Sequence, residues 1–142
     1  GALEDVHTAA PEVQQHDHTD GEYDEFFVVF STDCSEYQNW QTEVVFRSAL
    51  LVNQPGRIIR IASGCSKEEK QNNEERYAKI FPERFSAHFT PQYNKDEKTG
   101  QTYHFYNKPR GILHWLKNAV PPVPENAIIA LIDPDFAFLR PL

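Results

Sequence analysis

The sequence predicts an α/β domain built on a mostly parallel, doubly wound sheet. Two observations predict it. Short apolar runs of strand length alternate strictly with longer segments of helical period, and those runs lack the in-and-out alternation of a half-exposed sheet. A strand that is apolar on both sides needs cover on both faces, which helices crossing between parallel strands provide.

Residues 26–30, Phe26-Phe27-Val28-Val29-Phe30, are the first such run. A helix over about residues 36–52 follows, opened by the capping-box pair Ser35 and Gln38, with Tyr37, Trp40, Val44 and Leu51 recurring at helical spacing; Asn53-Gln54-Pro55-Gly56 stops it. Residues 57–62 form the second strand, with Ile58, Ile59 and Ile61 as its β-branched content, and Ser63-Gly64-Cys65 turns the chain away. Ser66 and Glu69 make a second capping box, opening a polar surface helix that runs to about residue 80 before Pro82. Residues 84–89 read as a third strand and 91–100 as a polar loop. Pro109 suits an early helical position, where its missing N–H has no partner to lose, and Ile112, Trp115, Leu116 and Ala119 are the expected buried stripe. Pro121, Pro122 and Pro124 close that helix, and residues 127–132 form a last buried strand that runs into Asp133-Pro134-Asp135. Tyr37, Trp40, Phe46 and Trp115 fall at helical spacing and are expected in the core rather than as sugar platforms.

With 142 residues, 39% of them hydrophobic, the chain can bury one core, so a single domain is expected over residues 23–142. Residues 1–25 carry eight acids and no Lys or Arg, which accounts for the net charge of −7 and leaves the remainder close to neutral. Residues 1–22 are too acidic and too poor in apolar side chains to offset the entropy of ordering, and read as a disordered tail or stalk. The His16-Asp17-His18 cluster within it is expected to be solvated rather than metal-bound. No basic stripe is present to neutralise phosphates, so nucleic acid is not an expected partner. No apolar run has bilayer-spanning length, and residue 1 opens no signal-peptide pattern; a targeting segment would lie upstream.

Ligands of open α/β sheets bind beyond the carboxyl ends of the strands. Four clusters occupy such positions: Ser31-Thr32-Asp33-Cys34, Ser63-Gly64-Cys65, Asn107-Lys108-Pro109-Arg110 and Asp133-Pro134-Asp135. The last weighs most. Two carboxylates at the mouth of a strand are hard-oxygen ligands suited to Mn²⁺ or Mg²⁺, which can bridge phosphate oxygens and neutralise a leaving diphosphate. Lys108 and Arg110, at a helix start, are placed to reach such an anion. A haloacid-dehalogenase-type phosphatase carries its acidic pair after its first strand, whereas this pair is late and followed by Ala137. A cysteine phosphatase needs Arg where Trp40 follows Cys34, and no Gly-rich phosphate cradle is present. His88, His104 and His114 have no partner at ligand spacing and read as structural or exposed. Cys34 and Cys65 each follow one of two strands expected to be neighbours roughly 5 Å apart, within reach of the roughly 4.4 to 6.8 Å that a disulfide needs between Cα atoms. A Cys34–Cys65 bridge is therefore expected, as in an oxidising compartment.

The run from Phe26 to Cys34, Trp40-Gln41, Asn107-Lys108-Pro109 with Trp115-Leu116, and Asp133-Pro134-Asp135-Phe136-Ala137-Phe138-Leu139-Arg140-Pro141-Leu142 resemble plant and algal hydroxyproline O-arabinosyltransferases and the related peptidyl serine α-galactosyltransferases. The resemblance spans about residues 26–142 and implies a GT-A fold, Rossmann-like, of which this chain is the nucleotide-sugar-binding half. It implies that Ser31, Thr32 and Asp33 meet the uridine and ribose, that Asp135 binds the metal directly, and that Asp133 faces the ribose or a metal-bound water. It also implies an enzyme of the Golgi or endoplasmic reticulum lumen, membrane-anchored upstream, moving sugar from a UDP-sugar to hydroxyproline or serine of a glycoprotein. The acceptor site and remaining catalytic groups of such enzymes follow the acidic motif, so this chain is expected to be a fragment, inactive alone. Asp133 stands where the arabinosyltransferases carry Glu, which leaves the donor sugar open. The competing expectations are a catalytically silent GT-A-like binding module and, less favoured, an α/β phosphohydrolase.

Overall fold

The computed structural model describes residues 25–103 and 106–142. The stalk expected over residues 1–22, with its histidine cluster, and His104 lie outside the described residues.

Strands and helices alternate as expected: β1 (Phe26–Thr32), α1 (Glu36–Leu51), β2 (Arg57–Ser63), α2 (Lys67–Ile80), β3 (Phe85–Thr90), α3 (Asn107–Asn118) and β4 (Ile128–Leu131). The four strands form one parallel sheet in the order β3-β2-β1-β4. Adjacent residues of β1 serve opposite faces. Val28 and Phe30 join Ile58 and Phe85 beneath α1 and α2, against Val45, Phe46, Ala49, Tyr77 and Phe81. Phe27 and Val29 join Ile59 and Ile61 beneath α3, where Trp115 covers them. Helices on both faces make this a Rossmann-like arrangement, and they explain why β1 and β2 read as unbroken apolar runs. Phe46 is the hub of the first face, its ring in contact with those of Phe30, Tyr77, Phe81 and Phe85.

Several expectations are corrected. The apolar stripe read on α1 is not its buried one: Tyr37, Trp40 and Leu51 are 67%, 62% and 85% exposed, while Gln41, Thr42, Val45, Phe46 and Ala49 face the sheet. Tyr37 and Trp40 stack on each other instead, 6.4 Å between ring centres. Leu116 of α3 is also exposed, and the close contact with the sheet is made by Gly111 and Trp115. β4 is not a buried strand. Among the described residues it pairs with β1 alone, and Ile128 and Leu131 are exposed along it.

The start of α1 departs from a reciprocal capping box. Ser35 Oγ accepts from the Gln38 amide, but Ser35's own amide donates to Asp33 Oδ1 at 2.8 Å, and Gln38 Oε1 accepts from the Asp33 amide. At α2 the Ser66–Glu69 box is complete, and the Ser66 backbone amide, with the Ser66 hydroxyl after it, holds the Glu69 carboxyl below the usual range.

Candidate functional site at the strand-order reversal

Chain order reverses between β1 and β4, since β2 and β3 lie to one side of β1 and β4 to the other. Loops leaving β1 and β4 at their carboxyl ends must diverge to opposite faces, which opens a crevice between them. A cleft of ≈ 310 Å³ lies there, lined by Ser31, Thr32, Asp33, Gln38, Asn107, Lys108, Asp133 and Pro134. Three of the four sequence clusters therefore meet at one place.

Each wall has a local cause. Ser31 and Thr32 are the last residues of β1, in register with Ile61 and Ala62 of β2. Asp33 begins the turn into α1, its carboxylate accepting from the Ser35 amide. The acidic motif is pinned on both sides: Ile132 and Phe138 are buried in the core under α1, and the Phe138 amide donates to Ser48 Oγ at 3.0 Å. Lys108 sits in the first turn of α3 and its Nζ reaches Asp133 Oδ1 at 2.8 Å. Asn107, beside it, accepts from the Tyr93 amide at 2.7 Å and so ties the loop after β3 to the helix start.

Not every expected residue converges. Asp135 is exposed and stands outside the cleft lining. Arg110 also lies outside it, with its guanidinium 5.3 Å from the centre of the Tyr106 ring. Ser63 does not reach the cleft, because it is buried against Thr90, the two hydroxyls 2.8 Å apart. Cys34 and Cys65 are joined in a disulfide with Cα atoms 5.3 Å apart, tying the turns that follow β1 and β2. His88 and His114, read as structural or exposed, are hydrogen-bonded to each other: Nε2 of the first and Nδ1 of the second are 2.9 Å apart, on β3 and α3. Asn107 lines the cleft as a member of a cluster the sequence selected, whereas sequence reasoning missed Gln38 as a lining residue.

The acidic pair is tested as a cation site by its geometry. Among the described residues, no group of three or more His, Cys, Asp or Glu side chains converges to enclose a metal. A closed protein cage is thus not formed here. The donor chemistry fits a hard cation of the other kind, held by one or two carboxylates with phosphate oxygens and water completing the shell. The side chains of the Lys108–Asp133 pair are 47% and 70% exposed, so the pair is worth at most about 1 kcal/mol and is readily displaced.

A second hollow of ≈ 230 Å³ lies at the other end of the sheet, lined by Phe27, Arg57, Trp115 and residues 119–124 among others, and none of the selected clusters reaches it.

No protein-family model matches the chain, and no solved structure matches it. It is similar to two proteins named peptidyl serine alpha-galactosyltransferase. The one from Chlamydomonas reinhardtii is 32% identical over 114 residues, covering 80% of this chain and 14% of the relative. The one from Arabidopsis thaliana is 33% identical over 96 residues, covering 68% of this chain and 11% of the relative. The chain thus spans about one seventh and one ninth of the lengths of these relatives. Over the stretch it shares with them, the chain is a homologue of the peptidyl serine alpha-galactosyltransferases, a group of glycosyltransferases.

Proposed function

We propose that this chain is the nucleotide-sugar-binding part of a glycosyltransferase that moves a sugar from a UDP-sugar to serine or hydroxyproline of a glycoprotein. The observation that carries the reading is the convergence of Ser31, Thr32 and Asp133 on one cleft at the strand-order reversal, in a chain homologous to enzymes named for transfer to serine. Ser31 offers a hydroxyl to the nucleoside, Thr32 lines the donor cleft beside it with its hydroxyl held by Arg60, and Lys108 offers a cation to the diphosphate. Asp135 and Asp133 are the residues to hold Mn²⁺ or Mg²⁺, Asp135 as direct ligand and Asp133 toward the ribose or a bound water. Held by these residues, such a cation would supply positive charge to a departing diphosphate. A Golgi or endoplasmic reticulum lumen suits the reading, and the Cys34–Cys65 bridge supports it, since disulfides persist in oxidising compartments.

Calorimetry of the complete protein with UDP, with and without Mn²⁺, tests the reading. Asp135→Asn keeps the shape and removes the charge, so it should abolish the manganese-dependent part of UDP binding and leave the fold intact. Unchanged manganese-dependent affinity in that variant would sink the metal assignment. The Lys108–Asp133 pair favours one competing reading, a catalytically silent binding module, because it balances Asp133 without a metal ion. UDP affinity indifferent to Mn²⁺, with no sugar transfer to a serine or hydroxyproline peptide, would favour that module.

A further inference from the structure

β2 is a strand of isoleucines with an arginine in its middle, and that arginine is fully buried: Arg60 is 0% exposed. Its guanidinium places a hydrogen bond from every nitrogen. Nε donates to Thr32 Oγ1 at 2.7 Å, and Nη2 donates to the Asp33 carbonyl at 2.9 Å and to Asn39 Oδ1 at 2.7 Å. Nη1 donates to Tyr77 OH at 2.7 Å and to Asn73 Oδ1 at 3.4 Å. Every one of these acceptors is a neutral group. Among the described residues the cation is solvated by dipoles and has no carboxylate in direct contact, and burial draws its pKa down, against the Tyr77 hydroxyl and the charge of Asp33, which raise it. An arginine stays protonated under such conditions.

For filling space alone this is a costly solution, because an apolar side chain of similar volume avoids the desolvation penalty of a buried ion, which amounts to several kcal/mol. The donors divide into two sets. Nη1 grips α2, through Asn73 and Tyr77. Nε and Nη2 grip the end of β1 and the turn into α1, where Thr32 and Asp33 line the cleft. The backbone carbonyl of Asp33 and the side chain of Asn39, on opposite sides of that turn, are bridged by one nitrogen.

We propose that Arg60 is a positioning residue of the cleft: its fork fixes the turn over residues 32–39, and its buried charge behind Thr32 and Asp33 offsets the Asp33 carboxylate so that the cleft accepts an anionic ligand. The ligand class, a nucleoside diphosphate, rests on the donor-site reading above; the fixing of the turn does not.

Three variants of the complete protein separate positioning from simple anchoring. Arg60→Lys keeps the charge and loses the fork, Arg60→Met loses both, and Tyr77→Phe removes an acceptor on the α2 side without touching the turn. Hydrogen exchange at the amides of Asp33, Ser35, Gln38 and Asn39 is measured without ligand, and UDP binding by calorimetry in Mn²⁺. In Arg60→Lys, which should still melt cooperatively, the turn amides are expected to exchange about tenfold faster and UDP affinity to fall about tenfold, the effect of losing one good hydrogen bond. Arg60→Met should lose more affinity than Arg60→Lys. Tyr77→Phe should lower the melting temperature and leave both readouts at wild-type values. Turn amides unmoved in both Arg60 variants, or moved equally by Tyr77→Phe, would overturn the proposal and leave Arg60 an anchor for α2. Should the wild type bind no UDP, the donor reading falls, and the exchange experiment still decides whether Arg60 fixes the turn.

Discussion

His88 and His114 are separated by 26 residues in sequence and by one hydrogen bond in space. Burial, and after it the charge of His114, holds the His88 pKa below the ordinary imidazole value. The folded state therefore binds fewer protons than the unfolded chain between about pH 6.5 and that lower value, and stability must fall as pH drops through this window. The urea midpoint is expected to decline from pH 7 toward pH 5, with His88→Gln flattening the decline; an equal decline in the variant would assign it to other groups. Neither this pair nor Arg60 was legible in the sequence. A histidine has no signature until its partner arrives from another element, and an arginine inside an apolar run reads as a solvent-facing position. Ser31, Thr32, Lys108 and Asp133 were legible, because each sits beside the carboxyl end of a strand or the start of a helix, where the fold class alone directs attention. Asp135 and Arg110 met the same criterion and stand outside the cleft lining, since placement at an element end fixes the backbone and leaves the side chain's direction open.

Among the elements, α3 carries the most consequence for the site, because its first turn supplies Asn107 and Lys108. It lies close on β2: a Cβ at Gly111 would come within 3.0 Å of Ile61 Cγ2. Gly111→Val should therefore push the helix off the sheet at a cost of about 1–3 kcal/mol, read as a lower urea midpoint. Because Lys108 stands one turn away, the variant should also weaken UDP binding; a stable protein with unchanged affinity would show that α3 tolerates the shift. The same tight seat explains the exposure of Leu116, which a helix resting on Gly111 and Trp115 turns outward. For α1, two faces competed in the sequence. Tyr37, Trp40, Val44 and Leu51 make one apolar stripe, and Val45, Phe46 and Ala49 make another flanked by Gln41 and Thr42. Periodicity cannot rank such faces, and the sheet selected the one whose side chains fit among Phe30, Phe85 and Tyr77.

At the scale of the molecule, the Cys34–Cys65 bridge closes a loop of 31 residues that contains α1 and β2. On the chain-entropy argument, closing a loop of that length contributes about 3–4 kcal/mol by constraining the unfolded chain. Urea titrations of the protein with and without reductant should differ by about that amount, and a Cys34→Ser, Cys65→Ser double variant should then be insensitive to reductant. The bridge and the parallel order were both legible, because adjacent strands in a βαβ unit end side by side and bring the residues after them together. The edge position of β4 was not, since Ile128 to Leu131 is as apolar as any buried strand. That position gives the cleft two walls of unequal stiffness. On one side, β1 is paired along both edges, and the turn after it is cross-linked by the disulfide and by Arg60. On the other, Asp133 follows a four-residue strand that pairs, among the described residues, with β1 alone, and beyond it the motif is held by Phe138 and its hydrogen bond to Ser48. Amides of residues 129–131 should accordingly exchange faster than those of residues 28–30. In mechanical terms the cleft is an anvil and a spring, and a ligand that draws Asp133 inward deforms only the compliant wall.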